Sequence, residues 1–418
     1  MRYLLVPLGS SGDVHPFLGI AAALRDRGRD VTVAVNGWFE PVVRRLGLNY
    51  VEIGSAEEFR RALDDPLLWH PKHGLRYVIE QGIVPAIRPI YQLISERYIP
   101  GETVVVAAGI ALGARIAADK LGVPVVTVQL QPLSIFTAHE HPVYPNMNIP
   151  RWWPSSFKRA FFRFGHRYVV DPIVGREVNA LRRELDLPPA RRILLDWWQS
   201  PTGILGLYPD WFGPPQPDRP DRLRLTGFPL FDEAGVCEID PELGDFLDQG
   251  DPPIVFTFGS AMKHAHILFQ ESVRACESIG RRGILLTTFP EQIPKSLPRS
   301  IRRFDYAPLS ELLPRASLIV HHGGIGTSAQ ALAAGIPQLV APFTHDQPDN
   351  AARLERLGVA RTIPALLYRS ENASREIGHI LSSAKIAERA REIAKRIDKK
   401  QSLEQACKAI EEFGEANP

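Results

Sequence analysis

The sequence predicts an α/β protein built from two doubly wound halves, each a parallel sheet with helices on both faces. Three observations predict it. Apolar runs of strand length alternate with helical patterns in both halves of the chain, as βαβ connections require. At 418 residues the chain exceeds what one ordinary core organises and suits two domains. Three quarters of the way along, residues 317–335 (SLIVHHGGIGTSAQALAAG) pass from an apolar strand through a glycine turn into an alanine-rich helix.

In the first half the strand-like runs are 3–7, 30–35, 103–107 and 125–129, with a helical segment at 16–27 headed by Pro16. In the second half they are 254–258, 283–287, 318–321 and 338–341. Residues 208–221 are dense in proline, and 231–253 are acidic and glycine-spotted, as exposed connections are. The expected division is a first domain at 1–230, a linker at 231–252, a second domain at 253–385 and a tail at 386–418. The tail's charged helical pattern, 386–413, fits a solvated or packing helix.

Charge is nearly balanced, 49 basic against 47 acidic residues for a net charge of +2, which gives no global electrostatic case for nucleic acid. Cys237, Cys276 and Cys407 lie too far apart for a metal spacing or a disulfide framework, so a reducing cytoplasm is the expected home. The opening MRYLLVPLGSSGD is too short an apolar run for a signal sequence. No stretch approaches the roughly 18 uninterrupted apolar residues of a spanning helix. The expectation is a soluble protein, at most peripheral on the inner face of a membrane.

The glycine turn is the shape of a phosphate cradle. Gly323, Gly324 and Gly326 let backbone N–H groups approach a ligand, and the helix opening near Thr327 turns its positive end toward it. His321 and His322 stand at the strand's end. Gly324, Gly326 and Ala329 also fit a dinucleotide-type GxGxxA, but that fingerprint belongs in a first βα turn with an acidic residue about 20 positions on, and here the next strand ends LVAPF. Open α/β sheets bind ligands beyond the carboxyl ends of their strands, so four other loops carry candidates. They are GSSGDVHPF (9–17) with Ser10, Ser11, Gly12, Asp13 and His15; Gly259 and Ser260; FDYAPLSELL (304–313) with Tyr306 and Ala307; and FTHDQPDN (343–350) with Asp346 and Gln347. Each residue also has an ordinary structural reading: Asp13 as a helix cap, Tyr306 as packing, Asp346 as an Asx turn.

Taken together, HHGGIGTSAQALAAGIPQLVAPFTHDQPDNA, YAPLSELLP before it and GSSGDVHPF at the amino end resemble the UDP-glycosyltransferase family, most closely its bacterial antibiotic-type and sterol-type branch. The resemblance runs through nearly the whole chain in order of elements. It implies the GT-B fold, two Rossmann-like domains facing across a cleft, with the acceptor held by the first and the nucleotide sugar by the second.

Residue by residue, the resemblance implies that His321 contacts the donor diphosphate, with His322, Gly323, Gly324, Gly326, Thr327, Ser328 and Ser260 around it. Tyr306, beside Ala307, stands where the family stacks a tryptophan on uracil, and Gln330 where many members carry glutamate on the ribose. Leu309 replaces a glutamine of plant relatives. The resemblance itself favours UDP, and these departures, which leave a looser platform for the base, make dTDP the alternative. Asp346 and Gln347 match the pair that contacts the sugar, which implies a hexose such as glucose. Asp13 takes the place of the general base, with His15 as the fallback and Ser10, Ser11 and Gly12 as the acceptor-side loop. No Asp-x-Asp pair is present, and the histidine pairs His139/His141 and His264/His266 lack a third ligand, so no metal or other cofactor is expected.

The implied activity is inverting transfer of a hexose to a hydroxyl of an apolar small molecule or lipid. The rivals are a non-catalytic nucleotide-sugar-binding subunit and a sugar-nucleotide epimerase. Residues 151–168 (RWWPSSFKRAFFRFGHRY) form a basic, aromatic helical pattern that either packs on its own domain or rests on an anionic membrane surface.

Overall fold

The structure, a computed structural model, describes residues 1–144, 147, 149–236 and 240–416. The first sheet comprises β1 (Arg2–Val6), β2 (Asp30–Val35), β3 (Asn49–Glu52), β4 (Thr103–Ala108), β5 (Val125–Gln129), β6 (Gly203–Gly206) and β7 (Leu223–Leu225). Its 7 strands run in the order β3-β2-β1-β4-β5-β6-β7. The second comprises β8 (Ile254–Thr257), β9 (Gly283–Leu286), β10 (Ile301–Phe304), β11 (Leu318–His321), β12 (Gln338–Val340) and β13 (Ala360–Thr362). These 6 strands run β10-β9-β8-β11-β12-β13. All pairings within the two sheets are parallel, with β1 between β2 and β4, and β8 between β9 and β11. The two expected doubly wound halves are therefore present.

The central strands are buried on both faces, as Thr103–Ala108 and Leu318–His321 illustrate, and their sequences read as continuous apolar runs. The strands that pattern reading passed over are short peripheral or glycine-bearing pieces such as Asn49–Glu52, Gly203–Gly206 and Ala360–Thr362. Strand order reverses beside β1 in one sheet and beside β8 in the other. At such points the following loops diverge and leave a crevice, so the sequences after β1, β8 and β11 line the two crevices.

The first helix, Ser11–Asp26, starts earlier than expected because Ser10 and Asp13 form a reciprocal cap, leaving Pro16 inside the helix. The linker region is not wholly irregular: it carries the helix Pro241–Asp248. Cys276 and Cys407 are buried free thiols, and Cys237 lies outside the described residues. The tail forms helices Ala384–Ala394 and Lys399–Glu415. The second returns to the first domain, where Ala406, Cys407, Ala409, Ile410 and Phe413 join the core around β1, β4 and β5. A Cβ on Gly203 would come within 2.5 Å of the Phe413 ring, so β6 needs a glycine for that close approach. A further apolar cluster joins Tyr208, Phe212, Phe228 and Leu230 to Ile325, Ala329, Leu332 and Leu354, binding the two domains together. No helix among the described residues is long and apolar enough to cross a membrane.

Candidate active site

Two glycine turns meet across the cleft. β1 leads into Gly9, with φ 129°, and then into the first helix; β11 leads into Gly323, with φ 91°, and then into the helix Ile325–Ala334, two residues earlier than expected. A Cβ on Gly326 would lie 3.6 Å from Gly12 Cα, so the amino ends of both helices converge. Each end presents unpaired N–H groups and positive dipole character, and the space between them favours an anion. Gly324 and Thr327 keep partial exposure here and Ser260 is exposed, while Ser10, Ser11 and Gly12 border the turn half-buried.

The histidine pair does not divide as the resemblance implied. His321 is 0 % exposed. Its Nδ1 accepts the Gly323 N–H at 3.1 Å and its Nε2 lies 2.9 Å from Gln338 Oε1, so the ring holds the turn to β12 with both nitrogens engaged. The ring cannot reach a ligand without giving up one of those bonds. The resemblance implied that His321 is the diphosphate contact, whereas in this arrangement the ring serves to hold the turn. His322 is wedged between this turn and the turn after β8: a Cβ on Gly324 would lie 2.5 Å from its Nε2 and one on Gly259 3.0 Å. Its buried Nδ1 has no hydrogen-bond partner among the described residues. Burial depresses both rings, His321 to about 4 and His322 to about 3, the latter also through its neighbour His321. Both are neutral at physiological pH.

Ser328 and Gln330 are buried, and the Ser328 hydroxyl is unpartnered among the described residues. The expected donor and ribose contacts at these positions are therefore sealed beneath the helix surface. Tyr306 is exposed, but its hydroxyl donates to the Asp232 carbonyl at 2.5 Å, and Ala307 beside it is buried. Gln347 Oε1 accepts the Phe343 and Thr344 N–H groups at 2.8 and 3.2 Å, which closes the loop after β12.

Two carboxylates stand on opposite walls. Asp13 Oδ2 accepts the Ser10 N–H at 2.8 Å and the Ser10 hydroxyl at 3.0 Å. Burial raises its pKa against the lowering effect of those two bonds. Asp346 is pushed up to about 7, first by burial and then by the Asp13 charge across the cleft; an Asn350 Nδ2–H bond at 2.7 Å opposes this. The same Asn350 amide donates to the Gly323 carbonyl at 2.9 Å, tying the acidic loop to the glycine turn. Among the described residues no group of three or more His, Cys, Asp or Glu side chains is placed to hold a metal.

Three features escaped sequence reading. Glu233, from the linker and with φ 60°, lies 3.2 Å from His15 Nε2 and 2.9 Å from Arg45, and the hydrogen bond from His15, with Arg45 beside it, holds its carboxyl below the usual range. Its neighbour Asp232 accepts from the Ser310 N–H and hydroxyl, so adjacent linker residues grip opposite domains. A strap from the first domain also crosses the cleft. Asp64 pairs with Lys263 and offers its carbonyl to His264; Leu68 offers its carbonyl to His345 at 3.0 Å; Trp69 packs on Phe343 and His345. No local pattern announces these contacts, because each pairs residues remote in sequence.

Residues 3–135 match the glycosyltransferase family 28 N-terminal domain, and residues 284–410 match the erythromycin biosynthesis protein CIII-like C-terminal domain. The chain is 31% identical to the O-mycaminosyltylonolide 6-deoxyallosyltransferase of Streptomyces fradiae over 99% of its length and 98% of that protein. It is 27% identical to the vancomycin aglycone glucosyltransferase of Amycolatopsis orientalis, covering 86% of this chain and 85% of that protein. A sterol 3-beta-glucosyltransferase of Debaryomyces hansenii is 25% identical over 98% of this chain, which spans 26% of that larger protein. Among solved structures, the kitacinnamycin glycosyltransferase superposes with a TM-score of 0.71 at 20% identity, covering 99% of this chain and 98% of that one. VinC, solved with dTDP, superposes with a TM-score of 0.69 at 18% identity, covering 100% of both chains. The two facing parallel-sheet domains are thus the GT-B fold, and the chain belongs to the glycosyltransferases that join a family 28 N-terminal domain to an EryCIII-like C-terminal domain, the antibiotic-type and sterol-type branch.

Proposed function

We propose that this glycosyltransferase moves a hexose unit, with inversion, from a nucleoside diphosphate sugar to a hydroxyl of an apolar natural-product or sterol-like acceptor. The observation that carries the reading is the meeting of two helix amino ends, with Asp13 on one wall and the glycine turn on the other. In this reading the diphosphate rests on the Gly324 and Thr327 side of the turn. His322, not His321, is the histidine beneath it. As the sugar leaves, charge grows on the β-phosphate, and preorganised N–H groups with the helix dipole stabilise it without a metal. The Asp13 carboxylate takes the proton of the attacking hydroxyl, and its raised pKa makes it a stronger base than a solvated carboxylate. Asp346 holds the sugar.

Uridine and thymidine diphosphates are the two candidate carriers, and glucose and 6-deoxyhexoses the candidate sugars. The relatives' names include both sugar types, and a dTDP complex supports screening both nucleotides. Thermal-shift titration with UDP and dTDP, followed by mass spectrometry of products from each sugar donor over polyketide, glycopeptide and sterol acceptors, tests the reading. A chain that binds neither nucleotide refutes it. Asp13→Asn is expected to retain nucleotide binding while the transfer rate falls at least 100-fold, the scale of general-base catalysis; full transfer by the variant removes Asp13 as the base. Saturating EDTA is expected to leave the rate unchanged, and its loss on chelation would overturn the metal-free scheme.

A further inference from the structure

One helical surface of the first domain is unusually aromatic. The helix Ser155–Gly165 continues through a π-type turn, His166–Val170, into the helix Asp171–Glu184. Two of its side chains bury themselves: Lys158 and Phe162, one turn apart, with Phe162 packed against Phe136 and Tyr144 at 4.8 and 5.6 Å between ring centroids. The aromatic stripe that sequence periodicity suggested is a different face, and it faces solvent. Phe157, Phe161, Phe164 and Tyr168, spaced at intervals of about one helical turn, are 53%, 37%, 64% and 57% exposed, and Trp152 beside them is 80% exposed. The rings are arranged among themselves, with Trp153 edge-on to Phe157 and Phe161, and Phe164 against Tyr168.

The charge on this segment has one sign. Residues 151–170 include Arg151, Lys158, Arg159, Arg163 and Arg167 and no aspartate or glutamate. Arg159 pairs with Asp218 at 3.5 Å, whereas Arg163 and Arg167 make no ion pair among the described residues; Arg167 lies over the Tyr168 ring instead. A second copy docked here about a two-fold axis would set these cations against themselves. A surface that accepts aromatic rings at its polar–apolar boundary and supplies negative charge all around them fits without that conflict.

We propose that residues 152–169 form a docking face for an anionic phospholipid bilayer, which holds the enzyme peripherally with its aromatic rings at headgroup depth. This is independent of the sugar donor and of the transfer reaction. Each arginine brought to an anionic surface strengthens binding about fivefold, and the contribution falls with salt.

The test is co-sedimentation of the full chain with vesicles of phosphatidylcholine alone and of phosphatidylcholine with phosphatidylglycerol in equal parts. Two variants are compared, Phe157→Ser/Phe164→Ser and Arg163→Glu/Arg167→Glu, each verified by an unchanged melting temperature and unchanged nucleotide binding. The expected result is binding of the parent to the anionic vesicles only, weakened at least tenfold in either variant and by raised salt. Failure of the parent to sediment with anionic vesicles overturns the proposal. So does binding by both variants that is undiminished relative to the parent. A concentration-dependent dimer of the parent that the phenylalanine variant abolishes would also overturn it, assigning the face to self-association.

Discussion

The carboxylate Asp346 offers a quantitative test of how far its place in the cleft excludes water. Its pKa is pushed from 3.8 to about 7 by burial and by Asp13. In the unfolded chain it ionises near 3.8, so between about pH 4 and 7 the folded state holds a proton that the unfolded state does not. Stability therefore falls as pH rises through that window and levels off above it. From pH 5 to pH 8 the loss spans about two units, or about 3 kcal/mol as an upper bound at about 1.4 kcal/mol per unit. Asp346 keeps some solvent access, and screening reduces the observable to about 1–2 kcal/mol. Asp346→Asn removes the titration and keeps the shape. Melting curves of parent and variant at pH 5 and pH 8 should show similar stability at the acid end. At pH 8 the variant should melt higher, by about 2–8 °C for a domain of this size. Asp13→Asn, which removes the opposing charge, should move the parent's transition toward lower pH. Identical pH slopes for parent and Asp346→Asn would refute the reasoning, because they would mean an ordinary, solvated carboxylate.

The two histidines should separate by assay. His322→Ala is expected to weaken nucleotide binding about tenfold, measured by thermal-shift titration, with modest loss of stability. His321→Ala, which strands the Gly323 N–H and Gln338, should instead lower unfolding free energy by about 1–3 kcal/mol in urea. Phe413→Ala, in the terminal helix, should cost about 3 kcal/mol, read as a urea midpoint shift in the first domain.

Much of the fold was legible because it is local. The central strands are continuous apolar runs, and the strand, Gly323 and helix sequence of the cradle needs only neighbouring residues to specify it. The peripheral strands were not legible: Asn49–Glu52 and Ala360–Thr362 are too short and too exposed to carry a period. The site was legible as a set of loops, but not as a division of labour within them. His321 and His322 are adjacent in sequence, and which one is locked into the sheet depends on Gln338 from β12. Glu233 beside His15, and the strap that lays Trp69 on Phe343, depend on how the domains meet, which no local pattern encodes. The tail's helical pattern was readable. Its destination was not.

That destination bears on how the protein is made. The helix Lys399–Glu415 completes a core whose other members include β1, β4 and β5, so the first domain to leave the ribosome cannot be finished until residues 399–415 follow the whole second domain out. Until then, the apolar surface of β4 and β6 that Gly414 and Phe413 will cover stays bare. This helix thus acts as a closing stitch, and a nascent or truncated form lacking it would present that surface to chaperones, while the second domain, whose own strands and helices lie between 241 and 394, has no such wait.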